Sequence, residues 1–286
     1  MRWGIIAAAL ALSTVAGAEP EVTSYDSPAA AVRALVAATK PRVVAFGELH
    51  ELKSATVARS SLRAFTEELV DELARAGAGD LIVETWVTAG DCGKSETTAV
   101  AAVEKTTDRP ASTESELVTL LKRAKGAGLA PQILQLSCAE YASLQPDGKL
   151  DAVRLLQLVN DKLRERIVAL LGKRPPARPI VVYGGALHND LYPIAALAPY
   201  TFGRDVARRT RDRYLEIDLY VPELATNDAR ESATRPVQAY VEAAAKADAA
   251  GRTIVVRRGR GSYVVFLPRA LPPSERPSAT GAPRIE

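Results

Sequence analysis

Histidine and cysteine each occur only twice in this chain of 286 residues, and methionine once. Aromatic residues make up 5 % of it. So few rings leave little to stack on bases, and 37 basic residues diluted by 34 acidic ones make no polycationic surface, which argues against a nucleic-acid partner. No Gly-x-Ser-x-Gly elbow, Gly-x-Gly-x-x-Gly fingerprint or Walker A loop is present. A serine-nucleophile hydrolase, a dinucleotide enzyme and a P-loop NTPase are therefore disfavoured. Beyond the first twenty residues no apolar run is long enough to cross a bilayer. The remaining composition, 47 % hydrophobic and 25 % charged, suits a globular domain.

The N-terminus reads as an export signal. Arg2 is followed by an apolar run from Gly4 to Val15 and by Ala16-Gly17-Ala18, a small-x-small cleavage site. The expected location is secreted or periplasmic, with no stable membrane insertion after cleavage. Export gives the two cysteines a meaning, because Cys92 and Cys138 can pair in an oxidising compartment. The loop they would close confers on the order of 4 kcal/mol by chain entropy.

The expected layout is a signal peptide over 1–18, a lead-in over 19–29, one α/β domain over 30–270 and a disordered tail over 271–286. Pro28 near the start of Ser27–Thr39 marks a helix. Arg42–Phe46, Leu81–Val83, Gln132–Leu136 and Ile180–Tyr183 read as buried strands, with Glu84 ending the second. Long amphipathic helices are predicted over Ser54–Ala76 and Leu150–Leu171, and a capping box at Thr113–Glu116 opens a third. The polar stretch Gly90–Pro110 reads as a loop. A helix is expected through Ile194–Leu197, a strand over Tyr214–Val221 and a helix from Pro236 to Ala249. Thr253–Arg257 and Ser262–Leu267 form an antiparallel edge hairpin. Alternating strands and helices imply a mostly parallel sheet flanked by helices. Nothing here specifies an oligomeric state.

The two histidines occupy matching places. Val43-Val44-Ala45-Phe46-Gly47-Glu48-Leu49-His50 and Val181-Val182-Tyr183-Gly184-Gly185-Ala186-Leu187-His188 are both apolar strands ending in Gly-x-x-His. Strand C-termini share one edge of a parallel sheet, where ligands bind. Glu48 and Glu84 fall on that same edge. Singly, each residue reads as a loop carboxylate or a core histidine; four at the ends of three strands read as a site. Tyr183, Asn189, Asp190 and Tyr192 flank it, where they either orient a ligand or cap local turns. Arg204, Arg208, Arg209, Arg211 and Arg213 read as a solvated face interleaved with Asp205 and Asp212.

Two imidazoles and two carboxylates support two chemistries. They can ligate Zn²⁺ or Mn²⁺ with an open water position, or a histidine can act as general base on water without metal. Gly47 and Gly185 would let backbone and ligand approach closely, with Tyr183 and Asp190 beside them.

Strand-Gly-Glu-x-His, strand-Glu and strand-Gly-x-x-His resemble the erythromycin esterase / ChaN / Tiki-TraB superfamily. The resemblance rests on Gly47-Glu48-Leu49-His50, Glu84 and Gly185-Ala186-Leu187-His188, within residues 40–220. It implies an α/β fold with paired Glu and His at strand ends. Its members include hydrolases using a histidine-activated water, metal-dependent proteases and ChaN-like haem-binding proteins. Glu48, His50, Glu84 and His188 would carry over. The chain lacks the long helical insertion of the esterases and the anchor of Tiki. The resulting expectation is an exported hydrolase acting on an ester or amide of a small molecule or peptide. The alternative is a non-catalytic haem or metal carrier, or a scaffold whose histidines only pack.

Overall fold

The structure, a computed structural model, describes residues 20–51, 57–90, 92, 109–246 and 251–269. The segments read above as an export signal, as most of the 90–110 loop and as a C-terminal tail lie outside the described residues. Eight described strands form one sheet. They are β1 (Val22–Tyr25), β2 (Val43–Glu48), β3 (Asp80–Thr88), β4 (Ala130–Leu136), β5 (Ile180–Gly185), β6 (Tyr214–Tyr220), β7 (Thr253–Gly259) and β8 (Ser262–Phe266). Their order is β1-β7-β8-β6-β2-β5-β3-β4. From β8 to β4 neighbouring strands are parallel; β1–β7 and β7–β8 are antiparallel. The fold is α/β, a mostly parallel sheet with an antiparallel edge.

Helices cover both faces. On one lie α1 (Pro28–Thr39), α2 (Ser61–Ala64), a π-helical turn (Phe65–Leu69), α3 (Val70–Arg75) and α4 (Ser112–Gly126). They pack Leu35, Leu69, Leu73 and Leu120 on Val44, Phe46, Val181 and Leu215. Phe65 of the π turn meets Phe46 and Tyr183 at ring distances of 5.0 and 4.5 Å. On the other face α6 (Ala152–Lys173) and α8 (Gly203–Arg209) cover Val43, Ala45, Ile82 and Val182. Their neighbours include α5 (Cys138–Ser143), α7 (Ala186–Asn189), α9 (Pro222–Asn227) and α10 (Arg235–Ala244). Strands buried on both faces explain the continuous apolar runs.

Several boundaries differ from the sequence reading. The lead-in contains β1, because an edge position on β7 satisfies a polar strand that has no apolar signal. The 54–76 helix starts only at Ser61, where Ser60 Oγ accepts from the Arg63 N–H at 2.9 Å; residues 52–56 lie outside the described set. The Thr113–Glu116 capping box does not form. Helix α4 begins at Ser112, and Glu116 instead accepts from Ser60 Oγ at 2.6 Å. A capping box forms at Ser137–Glu140, opening α5 at Cys138. Helix α6 runs past Gly172 to Lys173, and Pro175-Pro176 stop it. No helix spans Ile194–Leu197, since Pro193 and Pro199 leave too few residues to nucleate one; a 3₁₀ turn, Ala198–Tyr200, follows. The Pro236 helix is α10, starting at Arg235 and ending at Ala244.

Cys92 and Cys138 are disulfide-bonded, with Cα atoms 5.1 Å apart. The bond closes a loop of 46 residues. No described helix is long and apolar enough to cross a membrane. Replacing both cysteines by serine is expected to lower unfolding free energy by about 2–5 kcal/mol. Equilibrium urea denaturation of oxidised protein and of the double variant measures the difference. An unchanged midpoint at constant slope would show that the bond does not support the fold.

Candidate functional site

Register brings the two Gly-x-x-His motifs side by side. Strand β2 pairs with β5 so that Gly47 faces Gly184 and Glu48 faces Gly185. On the other side of β5, Val83 of β3 pairs with Tyr183, which puts Glu84 level with Gly184. Strand β3 does not stop at Glu84 as its sequence suggested. Its pairing with β4 skips from Val83 to Trp86, a bulge that leaves Glu84 and Thr85 extra. Bulges redirect side chains, and this one turns Glu84 over the end of β5.

The glycines permit the convergence. A Cβ on Gly184 would come within 2.9 Å of Glu84 Cβ. A Cβ on Gly185 would sit 2.8 Å from His50 Nε2 and 3.7 Å from Glu84 Oε2. Both reactive atoms therefore lie within 4 Å of one point above Gly185. The Gly185 N–H donates to Glu84 Oε2 at 2.7 Å.

Each imidazole has its Nδ1 engaged, and in His50 the Arg109 Nη2 lies against that nitrogen as well as against Nε2. His50 Nδ1–H donates to Glu48 Oε1 at 2.8 Å. His188 Nδ1–H donates to the Tyr200 carbonyl at 2.9 Å. Those assignments leave both Nε2 atoms as acceptors. His188 Nε2 faces Glu84 Oε1 at 3.6 Å, and His50 Nε2 accepts from Arg109 Nη2 at 2.7 Å. His188 is 4 % exposed and Glu48 8 %, so the site is recessed.

Glu48 is held as an anion. Burial favours its neutral form, but the Arg109 guanidinium at 2.9 Å, His50 and the Tyr183 hydroxyl outweigh it. Its carboxyl is held down at about 2. Burial, then the Glu48 charge, pushes the Tyr183 phenol well above its ordinary value, so it stays a donor.

Of the flanking residues, Tyr183 belongs to the site through Glu48. Gly47 is packed from the opposite face, where a Cβ would meet Ala186 Cα at 2.6 Å and Asn189 Nδ2 at 2.8 Å. Asp190 is turned away and paired with Arg258 at 3.1 Å. Tyr192 donates its hydroxyl to the Arg260 carbonyl at 2.8 Å, remote from the carboxylates of the site. In the basic stretch, Arg208 and Arg209 pair with Asp205, and Arg213 caps the Lys40 carbonyl. Arg109 was not foreseen: it stands before Pro110 in a polar loop, with no motif around it. Glu51, Ser60 and Glu116 were also missed, and line a cleft with Glu48, Leu49 and Arg109.

Among the described residues no group of three or more His, Cys, Asp or Glu side chains is placed to hold a metal ion. A guanidinium bonded to both Glu48 and His50 occupies the place a cation would take. The cleft beside it has a volume of about 20 Å³, room for a water. With Arg109 in that place the four residues do not fit a metal ion, and no step below is routed through a metal or a haem. Comparison of the chain with family models, with curated proteins and with solved structures finds no match.

Glu48 ties stability to acid pH. Its folded-state value lies below the unfolded one, so its contribution is complete above about pH 4.5 and is lost as pH falls toward about 2. At about 1.4 kcal/mol per unit the loss is about 3 kcal/mol. Urea unfolding of wild type and Glu48→Gln between pH 2 and 5 should show that slope only in wild type; parallel curves would refute the ionised, paired Glu48.

Proposed function

We propose that the protein is an exported hydrolase that directs an activated water at an ester or amide carbonyl of a small molecule or peptide. The observation that carries this reading is the Glu48–His50 dyad. Its Nδ1–H is held by a buried carboxylate, and its Nε2 faces the point it shares with Glu84. That is the arrangement of a general base once Arg109, which contacts both ring nitrogens, is drawn off Nε2. The disulfide and the absence of a described membrane-spanning helix agree with export.

In the proposed cycle the Arg109–Nε2 contact is the resting state. A substrate carbonyl oxygen takes over the guanidinium, and a water takes its place on Nε2. The water oxygen bonds to the carbonyl carbon while His50 Nε2 takes its proton. The carbonyl π electrons move onto oxygen, where Arg109 stabilises the charge. Collapse breaks the bond to the leaving alcohol or amine, which takes the proton back from His50. Glu84, held by the Gly185 N–H and facing His188, orients the water from the far side. Neither step needs a protein nucleophile.

A panel of chromogenic esters and aryl amides, scanned with purified mature protein, tests the reading. On any substrate turned over, His50→Ala should lower kcat/KM by about 10²–10⁴-fold. Arg109→Met should lower it by about 10²-fold or more. Chelator should leave the rate unchanged. If both His50→Ala and His188→Ala keep full turnover, the reaction occurs elsewhere. No turnover together with a Soret band after haemin addition would replace the hydrolase by a carrier.

A further inference from the structure

Directly beneath the site, on the Gly47 face of the sheet, one arginine is surrounded by three carboxylates. Arg258 of β7 donates through Nη1 to Glu216 Oε1 at 2.7 Å and Asp218 Oδ2 at 3.0 Å. Its Nη2 donates to Asp190 Oδ1 at 3.1 Å. None of these four side chains is more than 6 % exposed. The proposed reaction uses none of them.

Their remaining bonds all run to one short segment. Glu216 Oε2 accepts from the Leu191 N–H at 2.9 Å. Asp218 Oδ1 accepts from Asn189 Nδ2 at 3.2 Å. Asp190 Oδ1 accepts from the Tyr192 N–H at 2.8 Å. Tyr214 donates its hydroxyl to the Asn189 carbonyl at 2.6 Å. Residues 189–192 immediately follow His188. The same turn returns to the site again, since the Phe202 N–H donates to the His188 carbonyl at 2.8 Å.

One guanidinium cannot neutralise three carboxylates that are all buried. Two uncompensated buried charges would cost several kcal/mol each, so the cluster must retain protons. Tyr214 and Tyr220 of β6, Tyr192 of the turn, and Glu231 beyond Tyr220 are the other titratable groups facing it. Tyr220 donates its hydroxyl to Glu231 Oε2 at 3.1 Å, and these groups add no positive charge.

We propose that this cluster positions His188, and that a proton retained by Glu216 and Asp218 keeps the 189–192 turn in place. Asp218 and Glu216 are therefore positioning residues, acting through Asn189 and Leu191. Burial, opposed by Arg258, raises Asp218 to about 6 and Glu216 well above its ordinary value. Above about pH 6 a second negative charge builds against Asp190, and the turn loosens. The catalytic consequence rests on the hydrolase reading; the positioning does not.

Nitrogen-15 NMR separates the two. With two histidines in the chain, the His188 ring is identified by comparison with His50→Gln. In wild type the Asn189 side-chain amide, which bonds Asp218, should shift with a midpoint near pH 6. Exchange of the His188 Nδ1–H should accelerate at least fivefold, beyond the ordinary base dependence, between pH 5.5 and 7.5. In Asp218→Asn both pH dependences should vanish, with the fold retained by circular dichroism. If that variant does not fold, the wild-type profiles of the Asn189 side-chain amide and the His188 Nδ1–H decide. An Asn189 side-chain amide flat from pH 5 to 8 in wild type overturns the proposal. So does a His188 Nδ1–H profile unaltered in the folded variant. Where a substrate is found, the kcat–pH profile should lose a limb near pH 6 in Asp218→Asn. Absence of turnover would remove the hydrolase reading and leave the NMR outcome to decide the positioning.

Discussion

The pairing of β2 with β5, Glu48 opposite Gly185, is the contact on which the site depends. It is made of main-chain bonds between residues 137 apart in sequence, from Val43↔Ile180 to Glu48↔Gly185, and needs no side chain at its upper end. The absent side chains matter more than those present. Gly184 and Gly185 leave the top of β5 bare, so Glu84 from one neighbour and His50 from the other can close over it. An alanine at Gly184 would occupy the place of the Glu84 side chain, and no rotamer of Ala can withdraw. A slip of one residue would turn Glu48 to the wrong face and break its bond with Tyr183. The register is pinned by the cores on both faces, Val44 and Phe46 on one and Val43 and Ala45 on the other.

Those same cores explain what could be read beforehand. Strands covered on both faces have to be continuously apolar, so β2, β3 and β5 announce themselves, and the polar residue at the end of each becomes conspicuous. With histidine used only twice, the parallel between His50 and His188 stood out. The cysteines were legible for a related reason, being a lone pair in a chain whose N-terminus reads as an export signal. What could not be read was anything placed by long-range geometry. Arg109 comes from a polar loop and reaches Glu48 only because α4 packs on the first core cluster through Leu120. The bulge at Glu84 has no proline or glycine to mark it. Strand β1 is polar because an edge strand may be.

Strand β6 shows the limit of periodicity most directly. Its alternation of Leu215, Ile217 and Leu219 with Glu216 and Asp218 is the pattern of a strand with one wet face. Yet Glu216 and Asp218 are 0 % and 2 % exposed. The polar face is covered by the turn after His188 and by Arg258, which arrives from the far end of the chain. A buried arginine supplied by a hairpin leaves no trace in the local pattern of the strand it neutralises.

The two faces of the sheet thus treat carboxylates oppositely, and the difference follows from the count of donors. Glu48 alone receives Arg109, His50 and Tyr183, more than enough to offset its burial, and it ionises. Glu216 and Asp218 share a single guanidinium with Asp190 and otherwise have neutral amide and backbone donors, and burial raises both. Groups with values pushed apart in this way divide labour between a fixed charge and a proton store. They lie one strand apart: Glu48 and Gly47 are adjacent, and Gly47 stands opposite Asp218 in the pairing of β2 with β6. Glycine is what lets the two lie so close: a Cβ at Gly47 would meet Ala186 Cα at 2.6 Å and Asn189 Nδ2 at 2.8 Å.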